Sequence, residues 1–576
     1  MRDPRDGRGV RPPRPSLVAG VDYGSDSVRV AVVDPASGGT VLRVSRRYPR
    51  WAAGEFCDAR SNRFRQHPLD PLETLEGCFR EIADQLGDAA VSALAIDATG
   101  STPAPVDRRG VPLALLEDFA DDPDAMFWLW KDRTSAAEAR VIDDALSAAD
   151  PDHTQFQGTY SSEWWWAKIL HGVTTNERVR DQAYSWVEHA DWLPNMLVGG
   201  DDVEQFRRNA CTAGHKVLYS ERLGGMVPAP VLAAIHPYLA QVRATFRTPP
   251  VPAATRLGTL SPEWAERLRL STDTVVGAGS LDAHAGGVGA GIDTRSLVKV
   301  MGTSTVDLFL TSYDAVEGKD LRRLCGLAED SILPGHLGGE TGQAAFGDLF
   351  AWYARLLSWP LQHVLAPQLR AVLPEEKVAG IIARSGAALL GALEAEVLQR
   401  APGDVVALDW VNGRRYPDVD ESASAAVTRL RIGHDAVDVY RALVESAVLG
   451  SKAIHDGLAA AGLVFDRVIL VGGIARKSPF ICQSIADALD TEVLVHQEEE
   501  VCAAGAAMYA ATAAGFFDAL PAAQQRLRGE FAARYTPVPA QVARFEAKFA
   551  EYVAAGRLLG LVGEDVRARA ASEGPW

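Results

Sequence analysis

The sequence predicts an α/β protein with two domains that repeat one fold. Three observations support this prediction: apolar strand-like runs alternate with helical patterns, the chain has 576 residues, and one strand–turn–strand unit occurs at both 20–34 and 296–312. Alternating strands and helices are typical of α/β proteins. A chain of this length exceeds one compact core, and a recurring unit indicates internal duplication.

The overall composition is that of a soluble globular protein, with 47% hydrophobic and 23% charged residues. The net charge of −17 and the lack of a basic stripe argue against a nucleic-acid partner. No run of 18 apolar residues occurs, so we expect no membrane span and no membrane partner. The six cysteines form no C-x-x-C pair, which argues against a zinc site or a disulfide framework and favours a reducing, cytoplasmic location.

The ends of the chain are predicted to lie outside the two domains. Residues 1–15 are rich in Arg and Pro and contain no apolar segment, so we predict a disordered tail rather than a signal peptide. We expect the first domain to span 16–290 and the second 291–560, with a C-terminal tail at 561–576. The boundary is placed in the glycine-rich stretch 277–292, which we predict to be a hinge.

The first repeat opens with a hairpin whose tip carries an unexpected acid. Val21 and the valines of 28–33 predict two strands, and Asp-Tyr-Gly-Ser-Asp-Ser at 22–27 separates them. Backbone N–H groups and hydroxyls at such a tip form an anion-binding nest, and an acid beside bound phosphate requires a cation between them. Asp22 is therefore a candidate ligand, direct or through water, of the Mg²⁺ carried by ATP. The alternative is a turn or capping Asp.

The second repeat opens with the same arrangement. Two predicted strands flank the tip Gly-Thr-Ser-Thr at 302–305, and aligning Gly302 with Gly24 places Thr303 beside Ser25. Two facing tips of this kind can hold a polyphosphate between them. The second hairpin therefore favours phosphate binding over a plain turn.

The glycine-rich stretch between the hairpins does not carry a dinucleotide fingerprint. A G-x-G-x-x-G motif requires glycine at its sixth position, where the first match has Asp282, and the second match, at 287–291, lacks the sixth glycine. A G-x-x-x-x-G-K-[ST] loop is also absent from the sequence. These patterns indicate neither an obvious dehydrogenase nor a P-loop enzyme.

Four further segments complete the predicted architecture. They are a strand ending at a glycine turn (91–101), a helix from a Ser cap to a Gly (161–172), a strand–glycine turn–helix unit (466–489) and an amphipathic helix (539–559). The three adjacent tryptophans of the first helix point in different directions, which favours core packing over the alternative, a stacking platform for bases. The apolar stripe of the last helix, expected to pack on the body, is Val542, Phe545, Phe549 and Val553.

A series of sequence blocks carries a resemblance to a known family. The blocks are DYGSDSVR (22–29), DATGSTPAPVD (97–107), MFWLWKDRT (126–134), YSSEWWWAKILHG (160–172), AGHK (213–216), GSLDAHAGGVGAG (279–291), VKVMGTST (298–305), GGETGQAAFGD (338–348), LDWVNGRR (408–415) and VGGIARK (471–477). Through them the chain, from about Val18 to about Leu558, resembles the FGGY family of carbohydrate kinases. STPAP and NGRR are most similar to the members that act on L-ribulose rather than on xylulose or glycerol.

The resemblance implies a fold and an activity. The expected fold is α/β, with two actin-like, ribonuclease-H-like domains and a cleft between them. The expected reaction transfers the γ-phosphoryl group of ATP, with Mg²⁺, to the terminal hydroxyl of L-ribulose, giving L-ribulose 5-phosphate in L-arabinose catabolism. The expected partners are the sugar, ATP and a second copy of the chain in a homodimer.

The same resemblance implies an ATP site at the two hairpins and at a later glycine pair. Gly472 and Gly473 would let adenosine approach the backbone, because a side chain there would collide with the base; the alternative is a plain strand-to-helix turn. Asp22 would lie near the Mg²⁺ and the phosphates. The expected ATP-binding residues are Asp22, Gly24, Ser25, Ser27, Arg29, Gly302, Thr303, Ser304, Asn412, Gly413, Gly472 and Gly473.

The resemblance also implies a catalytic base and a sugar pocket. Asp282 would accept the hydroxyl proton, the one acid–base task that phosphoryl transfer requires; the alternative is an Asp that caps a helix beginning near Ala283. Lys216 and Glu340 would hydrogen-bond the ketose, although a surface position is the commonest fate of a lysine. His215 is either a sugar contact or a structural histidine. The expected sugar-binding residues are Thr99, Ala104, Trp130, Lys216, Asp282 and Glu340.

Two other functions remain open at this point. One is a kinase for another ketopentose or a pentitol, such as D-ribulose, xylulose or ribitol. The other is a non-catalytic actin-like ATP-binding protein, which would keep the hairpins but would need neither Asp282 nor the sugar-pocket blocks.

Overall fold

The computed structural model describes residues 16–88, 90–154, 158–319, 321, 326–417, 419–420 and 423–558. The predicted tails at 1–15 and 561–576 lie outside the described residues, so both stay predictions.

The first part of the chain, up to residue 290, alternates strands and helices. Its strands are β1 Leu17–Tyr23, β2 Ser27–Val33, β3 Thr40–Arg47, β4 Cys57–Asp58, β5 Arg63–Gln66, β6 Val91–Ala98, β7 Pro103–Val106, β8 Phe127–Trp128, β9 Ser185–Glu188, β10 Arg256–Thr259, β11 Val275–Gly277 and β12 Ser280–Leu281. Its helices are α1 Pro49–Ala52, α2 Leu69–Leu86, α3 Ala136–Ala149, α4 Pro151–Thr154, α5 Trp165–Thr175, α6 Glu177–Gln182, α7 His189–Leu197, α8 Ala210–Val217, α9 Ala229–Ile235, α10 Pro237–Ala244, α11 Pro262–Leu268 and α12 Asp282–Gly289.

The second part follows the same alternation. Its strands are β13 Ser296–Met301, β14 Thr305–Thr311, β15 Gly326–Glu329, β16 Leu337–Thr341, β17 Val406–Leu408, β18 Ala426–Thr428, β19 Arg467–Val471, β20 Glu492–His496 and β21 Phe531–Tyr535. Its helices are α13 Tyr313–Val316, α14 Gly347–Pro360, α15 Ala366–Arg370, α16 Glu375–Val397, α17 Ala436–Ala460, α18 Gly473–Lys477, α19 Pro479–Leu489, α20 Val501–Ala513, α21 Leu520–Leu527 and α22 Pro539–Leu558.

Each part is organised around a seven-stranded sheet built on one plan. The first sheet has the order β10-β11-β6-β1-β2-β3, with β12 also on β6, and the second has the order β15-β16-β14-β13-β19-β20-β21. In each sheet an antiparallel hairpin (β1–β2 or β13–β14) lies beside a parallel strand, β6 or β19. The predicted α/β class and the duplicated hairpin unit are therefore confirmed.

The central strands of the first sheet are covered on both faces. Every residue of β1 is buried, because its apolar side chains face helices on both sides. On one face, α2 buries Leu72, Leu75, Phe79 and Ile82, which recur at the three- and four-residue spacing of an amphipathic helix. Burying each such side chain contributes about 1.5–3 kcal/mol. This rigid core fixes the strand ends from which the hairpin tip and Asp97 project.

The glycine-rich stretch 277–292 is strand and helix rather than a loose linker. Its helix α12 packs against α20 so closely that a Cβ on Gly505 would lie 1.9 Å from the Ala285 carbonyl oxygen. On its other side α20 packs against β1, where a Cβ on Gly20 would lie 1.8 Å from the Ala503 oxygen. These glycines therefore serve close packing between the two parts of the chain. Hinge motion and the boundary at 290/291 stay predictions.

The tryptophan-rich helix begins later than the sequence pattern predicts. The predicted start at a Ser cap is wrong, because α5 begins at Trp165 and runs past Gly172 to Thr175. Ser161 instead forms a turn, accepting a hydrogen bond from the Glu163 backbone N–H. Trp165 and Trp166 are fully buried, as the core-packing interpretation requires, whereas Trp164 is only partly buried.

The remaining predicted segments occur close to their expected bounds. The strand β19 ends at Val471, Gly472 follows with a φ of +108°, and α18 and α19 continue the unit. In α22, Phe545 is buried and Phe549 and Val553 pack against the core of the second part, as expected. The five cysteines within the described residues are all free thiols.

One helix stands out by its composition and exposure. The helix α16 has 23 residues and is long and apolar enough to cross a membrane, yet only 11% of its most apolar window is buried. Nearby on α14, the side chains of Trp352, Leu356 and Trp359 are also exposed. Length and composition are the only membrane signal in the described residues, so the absence of a membrane partner stays a prediction.

Candidate active site

A cavity of about 330 Å³ lies in the cleft between the two sheets and collects side chains from both parts of the chain. The first hairpin tip and the start of α12 form one wall, and the second hairpin tip and β16 form the other. The predicted site residues that line it are Ser25, Thr99, Trp130, Lys216, Asp282, Gly302, Thr303, Ser304, Glu340 and Asn412.

The other predicted residues lie around this cavity rather than on its described wall. Ala104 is wholly buried in β7, and the Ser27 hydroxyl donates to the neighbouring Asp26 carboxylate at 2.9 Å. Gly413 borders a second cavity of about 350 Å³ on the far side of the Arg414–Arg415 segment. The same sequence blocks contain residues that line the cavity and residues that do not, so sequence patterns cannot distinguish the two groups.

The first hairpin tip is held by a tight turn and a tryptophan. The Gly24 backbone N–H donates to the Ser27 oxygen at 3.0 Å, which closes the turn. The Trp130 indole N–H donates to Ser25 Oγ at 2.9 Å, and the Trp130 backbone N–H donates to Thr102 Oγ1 at 3.2 Å. The tip hydroxyl is therefore fixed at the cavity edge before any ligand binds.

Three carboxyl groups converge at the floor of the cleft. Asp22 and Asp97 are register partners at the ends of the parallel strands β1 and β6, and Asp282 begins α12 beside them. Burial raises the pKa of Asp97 well above its usual range, and the neighbouring Asp22 and Asp282 raise it further. Arg29 binds Asp22 at 3.1 Å and also Glu500 at 3.4 Å, so acids outnumber cations here.

This donor set fits a hard divalent cation. Both oxygens of Asp97 are buried without a hydrogen-bond partner among the described residues, and Asp22 has only Arg29 as a counter-charge. Burial raises the pKa of Asp22, although Arg29 opposes the shift. Mg²⁺ prefers one or two carboxylates together with substrate phosphates, and Asp22 lies next to the hairpin tip at which phosphates are predicted to bind.

Asp282 lines the cavity at the start of α12. It is the first residue of α12, and its Oδ1 accepts a hydrogen bond from the Ala283 backbone N–H at 2.7 Å. Burial, together with the nearby Asp22 charge, raises the pKa of Asp282 to about 7. A carboxyl with this pKa is about half ionised at pH 7, so it can both accept and release a proton there. Asp282 is thus the first residue of α12 rather than its N-cap, which is Leu281, and its role as a base stays a prediction.

The second hairpin tip is anchored to the start of α14. The Gly302 N–H donates to the Ser304 oxygen at 3.0 Å, and the Thr303 oxygen accepts the Phe346 N–H at 2.8 Å. Asn412 reaches the same helix, donating to Asp348 Oδ2 at 3.0 Å. The second hairpin tip therefore faces the first across the cleft, and its side chains are small.

The two consecutive glycines after β19 have different roles. A Cβ on Gly472 would lie 2.4 Å from the Met301 oxygen, and its φ of +108° excludes most side chains. A Cβ on Gly473 would meet no atom within 4 Å. Gly472 is therefore required by the fold, whereas Gly473 leaves open space beside the second tip.

One wall of the cavity carries a charge pair between a buried lysine and a partly buried carboxylate. Lys216, at the end of α8, donates from Nζ to both carboxylate oxygens of Glu340, at 2.9 and 3.2 Å. Burial opposes ionisation of Glu340, but Lys216 and the histidines His284 and His215 outweigh it and hold the Glu340 pKa well below its usual range. The Glu340 side chain remains 25% exposed, so part of the carboxylate faces the cavity.

Several cavity residues were not singled out from the sequence. They are Arg133, Ser161, Glu163, Trp164, His284, Arg415 and Cys502. Glu163 binds Arg133 at 2.9 Å and Arg415 at 3.2 Å, which connects the first part of the chain to the second. The blocks YSSEWWWAKILHG and LDWVNGRR contain Glu163 and Arg415, but nothing local to either block indicates that the two side chains meet.

Comparison with known proteins places this geometry in a family. Over 554 residues the chain is 37% identical to the ribulokinase of Vibrio parahaemolyticus, covering 95% of this chain and 96% of the relative. The chain belongs to the FGGY family of carbohydrate kinases. Residues 297–514 match the FGGY family of carbohydrate kinases, C-terminal domain, which agrees with this assignment. The ribulokinase of Mycolicibacterium smegmatis is 30% identical over 558 residues, covering 94% of each chain.

Solved structures show the same fold. The xylulose kinase of Rhodospirillum rubrum superposes with a TM-score of 0.74 at 18% identity, covering 94% of this chain and 99% of the other. The glycerol kinase of Plasmodium falciparum with ADP gives a TM-score of 0.71 at 14% identity, covering 94% and 98%. The protein therefore has the two-domain actin-like, ribonuclease-H-like fold of FGGY sugar kinases, and it is a carbohydrate kinase that uses ATP.

Proposed function

We propose that this FGGY kinase phosphorylates the terminal hydroxyl of L-ribulose with ATP, giving L-ribulose 5-phosphate for L-arabinose catabolism. The observation that carries the proposal is that Asp282 and the Lys216–Glu340 pair line one cavity with both hairpin tips. A base, a polar sugar anchor and a phosphate clamp are the parts that phosphoryl transfer to a sugar requires. The curated relatives named ribulokinase support the choice of ketose.

The proposed roles follow from the positions of the groups. Thr303, Ser304 and Ser25 hold the ATP phosphates from opposite walls. The sugar hydroxyl oxygen attacks the γ-phosphorus, the bond from that phosphorus to the β–γ bridging oxygen breaks, and ADP leaves. The hydroxyl proton passes to Asp282, whose pKa of about 7 suits this transfer.

Glu340 is a sugar ligand in this proposal rather than a second base. Its pKa lies well below the usual range despite burial, because Lys216 and two histidines surround it. A carboxylate so stabilised is a weak proton acceptor but a strong hydrogen-bond acceptor for sugar hydroxyls. Thr99 and Trp130 complete the wall beside it.

Mg²⁺ is proposed to enter with ATP and to be held by Asp22, with Asp97 behind it. When bound, the ion neutralises charge that develops on the transferred phosphoryl group. Arg29 would orient the Asp22 carboxylate through the ion pair already present. The proposed site fits Mg²⁺ because the carboxylates of this cleft outnumber the cations near them.

Sugar-dependent release of ADP tests the proposed function. We expect steady ADP release with L-ribulose, and a lower kcat/KM with D-ribulose, xylulose and ribitol. A higher kcat/KM with one of the other acceptors would assign the enzyme to that sugar. Binding of ATP without ADP release on any acceptor would favour the non-catalytic actin-like alternative.

The location and the assembly are also proposals. We infer a cytoplasmic protein, which free cysteines at all described positions support. We infer a homodimer, because the exposed apolar side chains of α14 and the apolar helix α16 present a surface that a second copy could cover. Light scattering after size-exclusion chromatography tests the assembly, and a monomer at micromolar concentration would contradict it.

A further inference from the structure

His284 is a wholly buried residue that the proposed mechanism does not use. It lies on α12 two residues after Asp282, and its Nε2 is 3.1 Å from Glu340 Oε2. On the opposite side of the ring, Nδ1 is 2.9 Å from Cys211 Sγ and 3.3 Å from the Ser331 carbonyl oxygen. Both ring nitrogens therefore have partners, and each partner comes from a different element.

These contacts define the protonation state of the ring. A carboxylate and a carbonyl oxygen are acceptors only, so each calls for an N–H from the imidazole. Burial disfavours a charged ring, but Cys211 and Glu340 outweigh it and raise the His284 pKa to about 10. His284 thus donates from Nε2 to Glu340, and its raised pKa favours the charged imidazolium.

Contacts on the other side of the His284 ring fix its position independently of Glu340. Cys211 and Ser331 hold its inner edge, and the His215 ring packs against it edge-on, with the ring centroids 4.8 Å apart. A lysine side chain alone would not give this precision, because its four-carbon stem is flexible. Lys216 and His284 therefore bind the same Glu340 carboxylate, Lys216 through a flexible side chain and His284 through a fixed ring.

We propose that His284 is a positioning residue for sugar recognition, which holds the Glu340 carboxylate in the orientation that accepts sugar hydroxyls. The proposal rests on the proposed function only for the identity of the sugar. A carboxylate has about four lone-pair sites; Lys216 and His284 occupy three of them, as judged by their contacts at 2.9, 3.2 and 3.1 Å. The remaining acceptor capacity belongs to the exposed part of the Glu340 side chain, which lines the cavity.

Two amide substitutions separate this role from simple packing. In His284→Gln the amide can replace Nε2 and still donate to Glu340, whereas in His284→Asn it can replace only Nδ1 and cannot reach Glu340. We expect His284→Asn to raise the KM for L-ribulose at least about ten-fold, since it removes a charge-assisted hydrogen bond. We expect His284→Gln to stay within about three-fold, and the KM for ATP to stay within about two-fold in both.

His215→Gln is the matched control. His215 is equally buried and touches the same ring, but its Nδ1 lies 4.0 Å from Glu340, its Nε2 bonds Ser331 Oγ, and it does not line the cavity. Because His215 packs against the His284 ring but does not bond Glu340, we expect its sugar KM to rise, but by less than that of His284→Asn. If His284→Asn does not fold, as judged by its melting temperature, His284→Met replaces it with the same expected result.

The outcomes distinguish this proposal from the proposed function. Equal sugar KM values for the Asn and Gln variants, or a parallel rise in the KM for ATP, would overturn the role of His284. A parent that prefers another acceptor from the panel would overturn the choice of L-ribulose, and the variants would then be compared on that acceptor. A parent that shows neither calorimetric binding nor turnover of any acceptor would overturn both.

Discussion

The Arg415 guanidinium lies 3.2 Å from the Glu163 carboxylate, so an ion pair spans the cleft from the second part of the chain to the first. Glu163 also binds Arg133 on its own side of the cleft, at 2.9 Å. Burial opposes ionisation of Glu163, but the two guanidinium groups outweigh it and lower its pKa. A charged contact therefore bridges the cleft beside the cavity.

Removing Arg415 should weaken this bridge. In Arg415→Gln, Glu163 keeps Arg133 as its partner, so the fold should not be left with a lone buried charge. The contact is partly exposed, and we expect a loss of roughly three- to ten-fold in kcat/KM for the sugar. Small-angle scattering with sugar and a non-hydrolysable ATP analogue should show a larger radius of gyration than for the parent. An equal loss in Arg133→Gln, which leaves the cross-cleft pair intact, would show that closure is not the cause.

Substituting Asp282 should separate chemistry from binding. Asp282→Asn keeps the shape of the side chain but cannot accept the hydroxyl proton. General-base catalysis contributes about 10²–10⁴-fold, and we expect kcat to fall by that factor while calorimetric affinities for ATP and L-ribulose change little. A variant that turns over within a few-fold of the parent would reduce Asp282 to a residue that starts α12.

The raised pKa of Asp282 should appear in the pH dependence of the parent. Because the base acts in its ionised form and its pKa is about 7, kcat/KM should rise with pH and level off above that value. The sign for stability is opposite: the folded pKa lies above the model-compound value of 3.8, so folding favours the protonated form. Its contribution is complete below 3.8 and is lost as the pH rises through about 7. We therefore expect Asp282→Asn to gain more melting temperature over the parent at alkaline than at acidic pH; an equal gain at both would contradict this.

The glycine pair after β19 offers a test of the nucleotide site. A Cβ on Gly473 meets no atom, so Gly473→Val should fold normally but should obstruct adenosine and raise the KM for ATP by about ten-fold or more. The KM for the sugar should stay unchanged. Gly472→Ala is the contrast, because its Cβ would clash with Met301 and its φ is positive, so the melting temperature should drop. Unchanged ATP use in Gly473→Val would move the adenosine site elsewhere.

The local parts of this structure could be predicted from sequence, and the non-local parts could not. Both hairpins could be predicted because alternating valines and small-residue tips are local signals. The start of α5 could not, because Ser161 uses its hydroxyl in a turn rather than as a helix cap, and propensity does not distinguish the two. Candidate bases and sugar ligands came from a family resemblance.

Contacts between segments that are distant in the sequence could not be predicted from local sequence patterns. Cys211 and His284 are 73 residues apart, and their pairing depends on how α8 and α12 pack. Asp22 and Asp97 lie side by side because β1 pairs with β6 in parallel. A strand pattern in the sequence does not show which strands pair. Glycine can provide flexibility or permit close packing, and sequence alone does not separate the two; the structure shows close packing at Gly289, where a Cβ would lie 2.2 Å from the Val501 oxygen, and the hinge at 277–292 stays a prediction.

The close packing of α20 on β1 has a consequence for the chain while the ribosome is synthesising it. Gly20 and the Ala503 oxygen approach so closely that no side chain fits between them, although they lie at opposite ends of the chain. At a translation rate of roughly 5–20 residues per second, about 25–100 seconds separate their emergence from the ribosome. Until α20 has been made, the face of the first sheet that carries Val18, Ala31, Ala93 and Ala95 lacks the helix that covers it in the folded protein. We therefore expect recombinant yield to improve when synthesis is slow and chaperones are abundant.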